Sequence, residues 1–163
     1  MQTGADIAGL EAAKDCGFET GGTAAAKFQQ SISGNKKIYS PNIAKEFNLK
    51  EGAVTIKKSR YGGTYLDVYY QRTIDNAQEA DGTIWFGNHH SPGGKLTLGK
   101  TTQKNKVTPL INPKSASEII GWIKENNIEV VNIAGNREHS NPGIYNHTKA
   151  LLIEAFNLIK NEQ

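Results

Sequence analysis

The chain has 163 residues, which suits one domain with one core. Its 37% hydrophobic and 21% charged residues exclude a disordered chain, and a net charge of +3 argues against a nucleic-acid partner, since no basic tract is denser than Lys57-Lys58-Ser59-Arg60. A lone cysteine, Cys16, rules out an intrachain disulfide, and no apolar run is long enough for a membrane span, so a soluble cytoplasmic protein is the expectation.

Along the chain, Gln2-Thr3-Gly4-Ala5-Asp6 is a polar turn, followed by a helix carrying Ile7, Leu10 and Ala13 on one face and stopping near Gly17. A helix that starts straight after a turn ordinarily has a strand before it. The expectation is a single domain over 1–163 whose first strand is missing at the N-terminus, either from residues upstream or in a gap filled by a partner chain. Phe18–Thr23 is a short strand candidate running into Gly21-Gly22, where the backbone is free to take positive φ and to approach a ligand closely. Thr23–Gly34 reads ambiguously, with a helix-favouring Ala24–Phe28 and a break over Ser31–Gly34. Pro41–Leu49 reads as a short helix and Ala53–Ile56 as a short strand. Tyr65–Ala80 reads as a helix whose Tyr69, Arg72, Thr73 and Asn76 share one side, a stripe that is ordinarily solvated.

Thr83–Gly87 is a short apolar run, the pattern of a buried parallel strand. Asn88–Gly94 is then a strand-to-helix loop, Leu96–Lys104 its helix, and Val107–Ile111 a third strand. Ser115 and Glu118 have the spacing of a capping box ahead of the apolar Ile119, Ile120, Trp122 and Ile123. Glu129–Tyr145 opens with a strand (Val130, Val131, Ile133), passes through a polar loop and enters a helix at Asn141-Pro142-Gly143, with Asn141 as N-cap. The last helix turns Ile144, Thr148, Leu151, Leu152, Ala155 and Ile159 inward. Strands alternating with helices imply an α/β fold, a Rossmann-like three-layer domain with a mostly parallel sheet.

Such a sheet gathers its strand-to-helix loops at one rim. Here these are Thr3-Gly4, Ser91–Gly94 and Asn136–Gly143. Their N–H groups suit an anion, with Arg72 and Arg137 as fixed positive charges and Tyr69 and Tyr65 as stacking platforms for a flat ring. Asp6, Asp81 and Glu138 lie near the same loops. His89 and His90 are adjacent and should point apart, with no third ligand at metal spacing, so no metal site is expected. Cys16 reads as a core residue.

Six segments, in this order, resemble the molybdenum cofactor carrier protein family, a Rossmann-like group related to the lysine-decarboxylase-like phosphoribohydrolases. They are Gln2–Asp6; Thr20-Gly21-Gly22-Thr23; Arg72-Thr73 with Asn76; Asp81-Gly82-Thr83; Ser91-Pro92-Gly93-Gly94-Lys95-Leu96-Thr97; and Ala134-Gly135-Asn136-Arg137-Glu138 with Asn141-Pro142-Gly143-Ile144-Tyr145. The resemblance implies a pocket for a phosphate-bearing pterin or nucleotide-like ligand, and often a homo-oligomer. Carried onto this chain, the ligand-binding residues would be Thr3, Gly4 and Asp6; Gly21, Gly22 and Thr23; Arg72 and Asn76; Ser91, Gly93, Gly94 and Thr97; and Gly135, Asn136, Arg137, Glu138, Ser140 and Gly143. The cofactor would be molybdenum cofactor or a nucleotide derivative, its identity left open.

The phosphoribohydrolase branch carries Pro-Gly-Gly-x-Gly-Thr-x-x-Glu. In Pro92–Lys100, Leu96 replaces a glycine and Lys100 replaces the glutamate. A lysine accepts no proton from a ribose hydroxyl and steadies no developing cation. The reading is therefore non-catalytic carriage or sequestration of a small phosphate-containing molecule. The alternatives are a phage-type sponge for a nucleotide immune signal and a nucleotide or nucleoside-monophosphate hydrolase working through Asp6 or Glu138.

Overall fold

Gly82–Phe86 is the strand on which the main sheet is built, and all five of its residues are buried. β-branched and aromatic side chains at Thr83, Ile84, Trp85 and Phe86 suit a pleated surface covered on both faces. The computed structural model describes residues 3–31, 37–105 and 107–163. In chain order the elements are α1 (Ala5–Asp15), β1 (Gly22–Ala24), a 3-10 turn at Ala26–Phe28, β2 (Gln29–Ser31), β3 (Lys37–Tyr39), α2 (Pro41–Glu46), β4 (Leu49–Glu51), β5 (Thr55–Lys58), β6 (Thr64–Asp67) and α3 (Tyr70–Glu79). Then follow β7 (Gly82–Phe86), α4 (Pro92–Asn105), β8 (Leu110–Ile111), α5 (Ala116–Glu125), β9 (Val131–Gly135) and α6 (Ile144–Asn161).

The main sheet has the order β8-β7-β9, all parallel, with Gly82–Phe86 in register with Val131–Gly135. β1 and β4 form a second parallel pair, while β2–β3 and β5–β6 are antiparallel. This is the three-layer, Rossmann-like α/β arrangement that the sequence implies. One face of β7 supplies Ile84 and Phe86 to an apolar core with Ile119 of α5 and Leu152 and Phe156 of α6. The other face is partly polar: the Thr83 and Thr101 hydroxyls lie 2.8 Å apart in the interior, and Asn132 Nδ2 donates to Thr83 Oγ1 at 3.2 Å. α1 lies tightly on β9. A Cβ at Gly9 would come within 2.7 Å of Ile133 Cβ, and glycine is what permits that approach. Half of the capping box is formed: Glu118 N donates to Ser115 Oγ at 3.2 Å, while the Glu118 carboxylate reaches one residue beyond the N-cap and accepts from Lys114 N at 2.7 Å.

Several boundaries differ from the sequence expectation. The helix expected over Tyr65–Ala80 is a strand, β6, followed by a helix that begins only at Tyr70. The Asp67 carboxylate ends the strand and starts the helix by accepting from Tyr69 N and Tyr70 N at 2.9 and 3.0 Å. β1 begins at Gly22, later than the strand expected from Phe18, and Leu49 opens a strand rather than closing a helix. The helix-favouring Ala24–Phe28 segment condenses to one 3-10 turn in which Lys27 and Phe28 take positive φ. Gln2 and most of the break at Ser31–Gly34 lie outside the described residues. No strand among the described residues pairs with the edge of β9 opposite β7.

Candidate ligand-binding site

The carboxyl ends of β8 and β9 are each locked to that of β7 by an asparagine. Gly87 N donates to Asn112 Oδ1 at 2.7 Å, and Asn112 Nδ2 returns a bond to Gly87 O at 2.9 Å. Asn88 N donates to Asn136 Oδ1 at 2.6 Å. A Cβ at Gly87 would collide with the Asn136 amide, and φ there is 107°, so only glycine fits. The start of α1 joins the same rim. Ala5 N donates to Asn136 O at 3.2 Å, and a side chain at Gly4 would run into that carbonyl. Three loops from distant parts of the sequence thus meet above one sheet.

Beside them opens a groove of about 1190 Å³. Its charged centre is Arg72, 7% exposed, whose Nη1 donates to Asp6 Oδ2 at 2.8 Å. Arg72 Nε has no hydrogen-bond partner among the described residues, nor does the buried Thr23 hydroxyl, and both residues line the groove. Asn76 holds the neighbouring loop: its Oδ1 accepts from Thr23 N at 2.8 Å and its Nδ2 donates to Thr23 O at 3.0 Å. The Tyr69 ring lies 5.9 Å from the Arg72 guanidinium and 5.5 Å from that of Arg137, within cation–π range of both.

The groove brings together Asp6, Gly21, Gly22, Thr23, Arg72 and Asn76 from the first half of the chain. From the second half come Ser91, Gly93, Thr97, Gly135, Asn136 and Arg137, with Ser140 at its margin. Thr3, Gly4 and Glu138 instead border a separate concavity. Gly94 and Gly143 line neither: Gly94 is packed against the His89 carbonyl and Gly143 sits at the N-cap of α6. The stripe of Tyr69, Arg72, Thr73 and Asn76 is not a solvated face, because Arg72 is buried and Asn76 is spent on β1.

The start of α6 corrects the expectation of an anion seat. The helix begins at Ile144, with Gly143 at φ 91° in the capping position, so Asn141 is not the N-cap and Pro142 is outside the helix. The Glu138 carboxylate accepts from Gly143 N at 2.5 Å and from Tyr145 N at 2.9 Å. A carboxylate of the chain therefore already occupies the positive end of this helix. Asp81 is likewise structural, accepting from Glu129 N and Val130 N at 3.0 and 2.8 Å. Tyr65 belongs to the β5–β6 hairpin and does not line the groove. The His89 and His90 rings do not point apart but stack with centroids 4.0 Å apart. Cys16 packs against the core, and burial pushes its thiol pKa up. Sequence reasoning missed Trp85, which lines the groove with an unpartnered buried Nε1, and the Asn112 latch. An asparagine directly after a short apolar run, at Ile111-Asn112 as at Gly87-Asn88, was the available signal.

The chain belongs to the circularly permutated YpsA SLOG family, whose family model matches residues 1–156. Among solved structures it is similar to the "Putative molybdenum carrier protein" from Syntrophus aciditrophicus SB, at 26% identity and a TM-score of 0.68, with 95% of this chain and 89% of that chain covered. No curated protein matches the chain. The family resemblance drawn from the six sequence segments is borne out.

Proposed function

We propose that the chain holds a small phosphate-bearing, nucleotide- or pterin-like molecule at the rim groove and carries or sequesters it without cleaving it, as a molybdenum cofactor carrier would. The observation that supports this reading is the pair of unsatisfied donors, Arg72 Nε and Thr23 Oγ1, on buried groove-lining residues. A buried donor left without an acceptor costs about 1–3 kcal/mol, and an anionic oxygen in the groove relieves that cost. Arg72 is fixed by Asp6, and Asn76 fixes the Thr23 backbone, so little ordering remains for a ligand to impose. Tyr69, expected as a stacking platform, does not line the groove; its ring instead lies within cation–π range of Arg72 and Arg137. The carboxylates named for hydrolysis are both committed, Asp6 to Arg72 and Glu138 to the first turn of α6.

The test is mass spectrometry of the purified protein, native and then denatured, followed by titration of any released molecule onto the Arg137→Ala variant. An intact phosphate-bearing compound is expected, and Arg137→Ala should weaken its binding by about 1.5–3 kcal/mol, the scale of a charge-assisted contact. Release of a cleaved fragment, or unchanged affinity in the variant, would contradict the reading.

A further inference from the structure

Neighbouring side chains on a strand point to opposite faces, and β2 places one amide on each. Gln29 Nε2 donates to the Tyr69 hydroxyl at 2.8 Å. The Gln30 side chain is turned the other way and lines the concavity of about 790 Å³ beside α1 and α2. Gln30 is 6% exposed, and its Oε1 has no hydrogen-bond partner among the described residues. A buried acceptor without a donor is uncommon in a folded chain and costs stability until a donor reaches it. The terminal amide turns about a soft torsion, so Oε1 can meet the cavity with no change in the strand.

The rest of the concavity is apolar or already neutralised. Ile7, Ile43, Phe47 and Pro142 bring side chains without polar atoms. The three carboxylates on its border are each engaged. Glu11 accepts from the Tyr145 hydroxyl and from Lys149 Nζ, Glu46 pairs with Lys14 Nζ at 2.7 Å, and Glu138 accepts from Gly143 N and Tyr145 N. His139 on the same border is exposed to water. A charged molecule would lose hydration there and meet no unpaired carboxylate, lysine or arginine among the described residues. An uncharged one loses little. Apolar walls around a single placed polar group, at this volume, are the make-up of a small-molecule site.

We infer that this concavity is a second ligand site, separate from the rim groove, for a small uncharged molecule with an apolar body and an N–H or O–H donor that Gln30 Oε1 accepts. The walls reward any apolar body of the right size. The donor decides which one stays, because an analogue without it leaves the buried acceptor unpaired.

The test is a nitrogen-15 NMR titration of the full chain with three probes. Indole carries an N–H on an apolar bicycle, benzofuran has oxygen in its place, and tryptamine is an indole with an ammonium group. Indole is expected to shift the amides of Ile7, Ile43 and Phe47 and to leave those of Thr23 and Asn76, in the groove, unmoved. Benzofuran should bind roughly fivefold to tenfold more weakly, the effect of one neutral hydrogen bond. Tryptamine should bind no tighter than indole. Gln30→Met keeps the length of the side chain and removes the amide. In that variant indole should fall to the benzofuran affinity, while the urea midpoint stays at or above wild type because an unpaired acceptor has left the interior. Ile43→Trp, which narrows the cavity, should abolish the indole shifts. No saturable shift at the three amides, equal affinity for indole and benzofuran, or tighter binding of tryptamine would overturn the inference. So would indole shifts that persist in Ile43→Trp, or a Gln30→Met variant that binds indole as wild type does or unfolds at markedly lower urea.

Discussion

Arg72 shows how much one residue's meaning depends on what surrounds it. In the sequence it sits in a polar helical stripe that reads as solvated. In the fold it is buried, ion-paired to Asp6 across 66 residues, and turned toward the groove. Breaking such a pair from one side leaves the partner charge stranded, so Arg72→Ala should lower stability by about 3 kcal/mol in urea unfolding, and Arg72→Ala with Asp6→Ala should recover part of the loss. An equal loss in the single and double variants would mean that the ion pair is not the reason. Two glycines, by contrast, were legible: Gly4 and Gly22 mark the rim loops because both have positive φ and a side chain there would clash, whereas at Gly21 a Cβ would meet only ordinary contact. Glu138 was placed at the right loop with the wrong job, since nothing in its spacing shows that it caps α6.

At the scale of elements, the long regular segments were readable and the short ones were not. β7, α5 and α6 carry enough periodicity or run length to declare themselves. β6 did not, because Thr64–Asp67 joins a helix with a compatible pattern and only the Asp67 cap separates them. That carboxylate gives the hairpin a pH dependence. Burial raises its pKa, but hydrogen bonds from Lys57 and from the Tyr69 and Tyr70 amides outweigh this and hold it below the ordinary carboxylate value. A depressed folded-state pKa stabilises the fold above the unfolded value, and that support is lost as pH falls through the folded value. Acidification below about pH 4 should therefore loosen the hairpin base, seen as collapsing amide protection at Tyr69 and Tyr70, and Asp67→Asn should remove the transition. A transition of the same size in Asp67→Asn would assign it elsewhere.

For the molecule as a whole, the sequence conveyed the class of fold and the convergence of loops at one rim, both of which follow from strand–helix alternation. It did not convey which residues face which cavity, because that depends on how α1 lies over β9. The two paired central strands differ sharply in cover: β7 is buried throughout, whereas every residue of β9 is half-buried. Hydrogen exchange should separate them, with β7 amides exchanging only on global unfolding and β9 amides on the groove side exchanging through smaller openings. Equal protection in both strands would show that the open edge is covered in solution.

The polar chain from Thr101 through Thr83 to Asn132 has a consequence of its own. Side chains alternate across a strand, so sliding β9 by one residue along β7 would turn Asn132 toward the apolar layer of α5 and α6 and strip it of its acceptor. Val131 and Ile133 would at the same time exchange their apolar neighbours for Thr83 and Thr101. An all-apolar strand would pay little for such a slip. This one carries a single amide that tolerates only one alignment, so the bond across the sheet acts less as glue than as a check on misthreading.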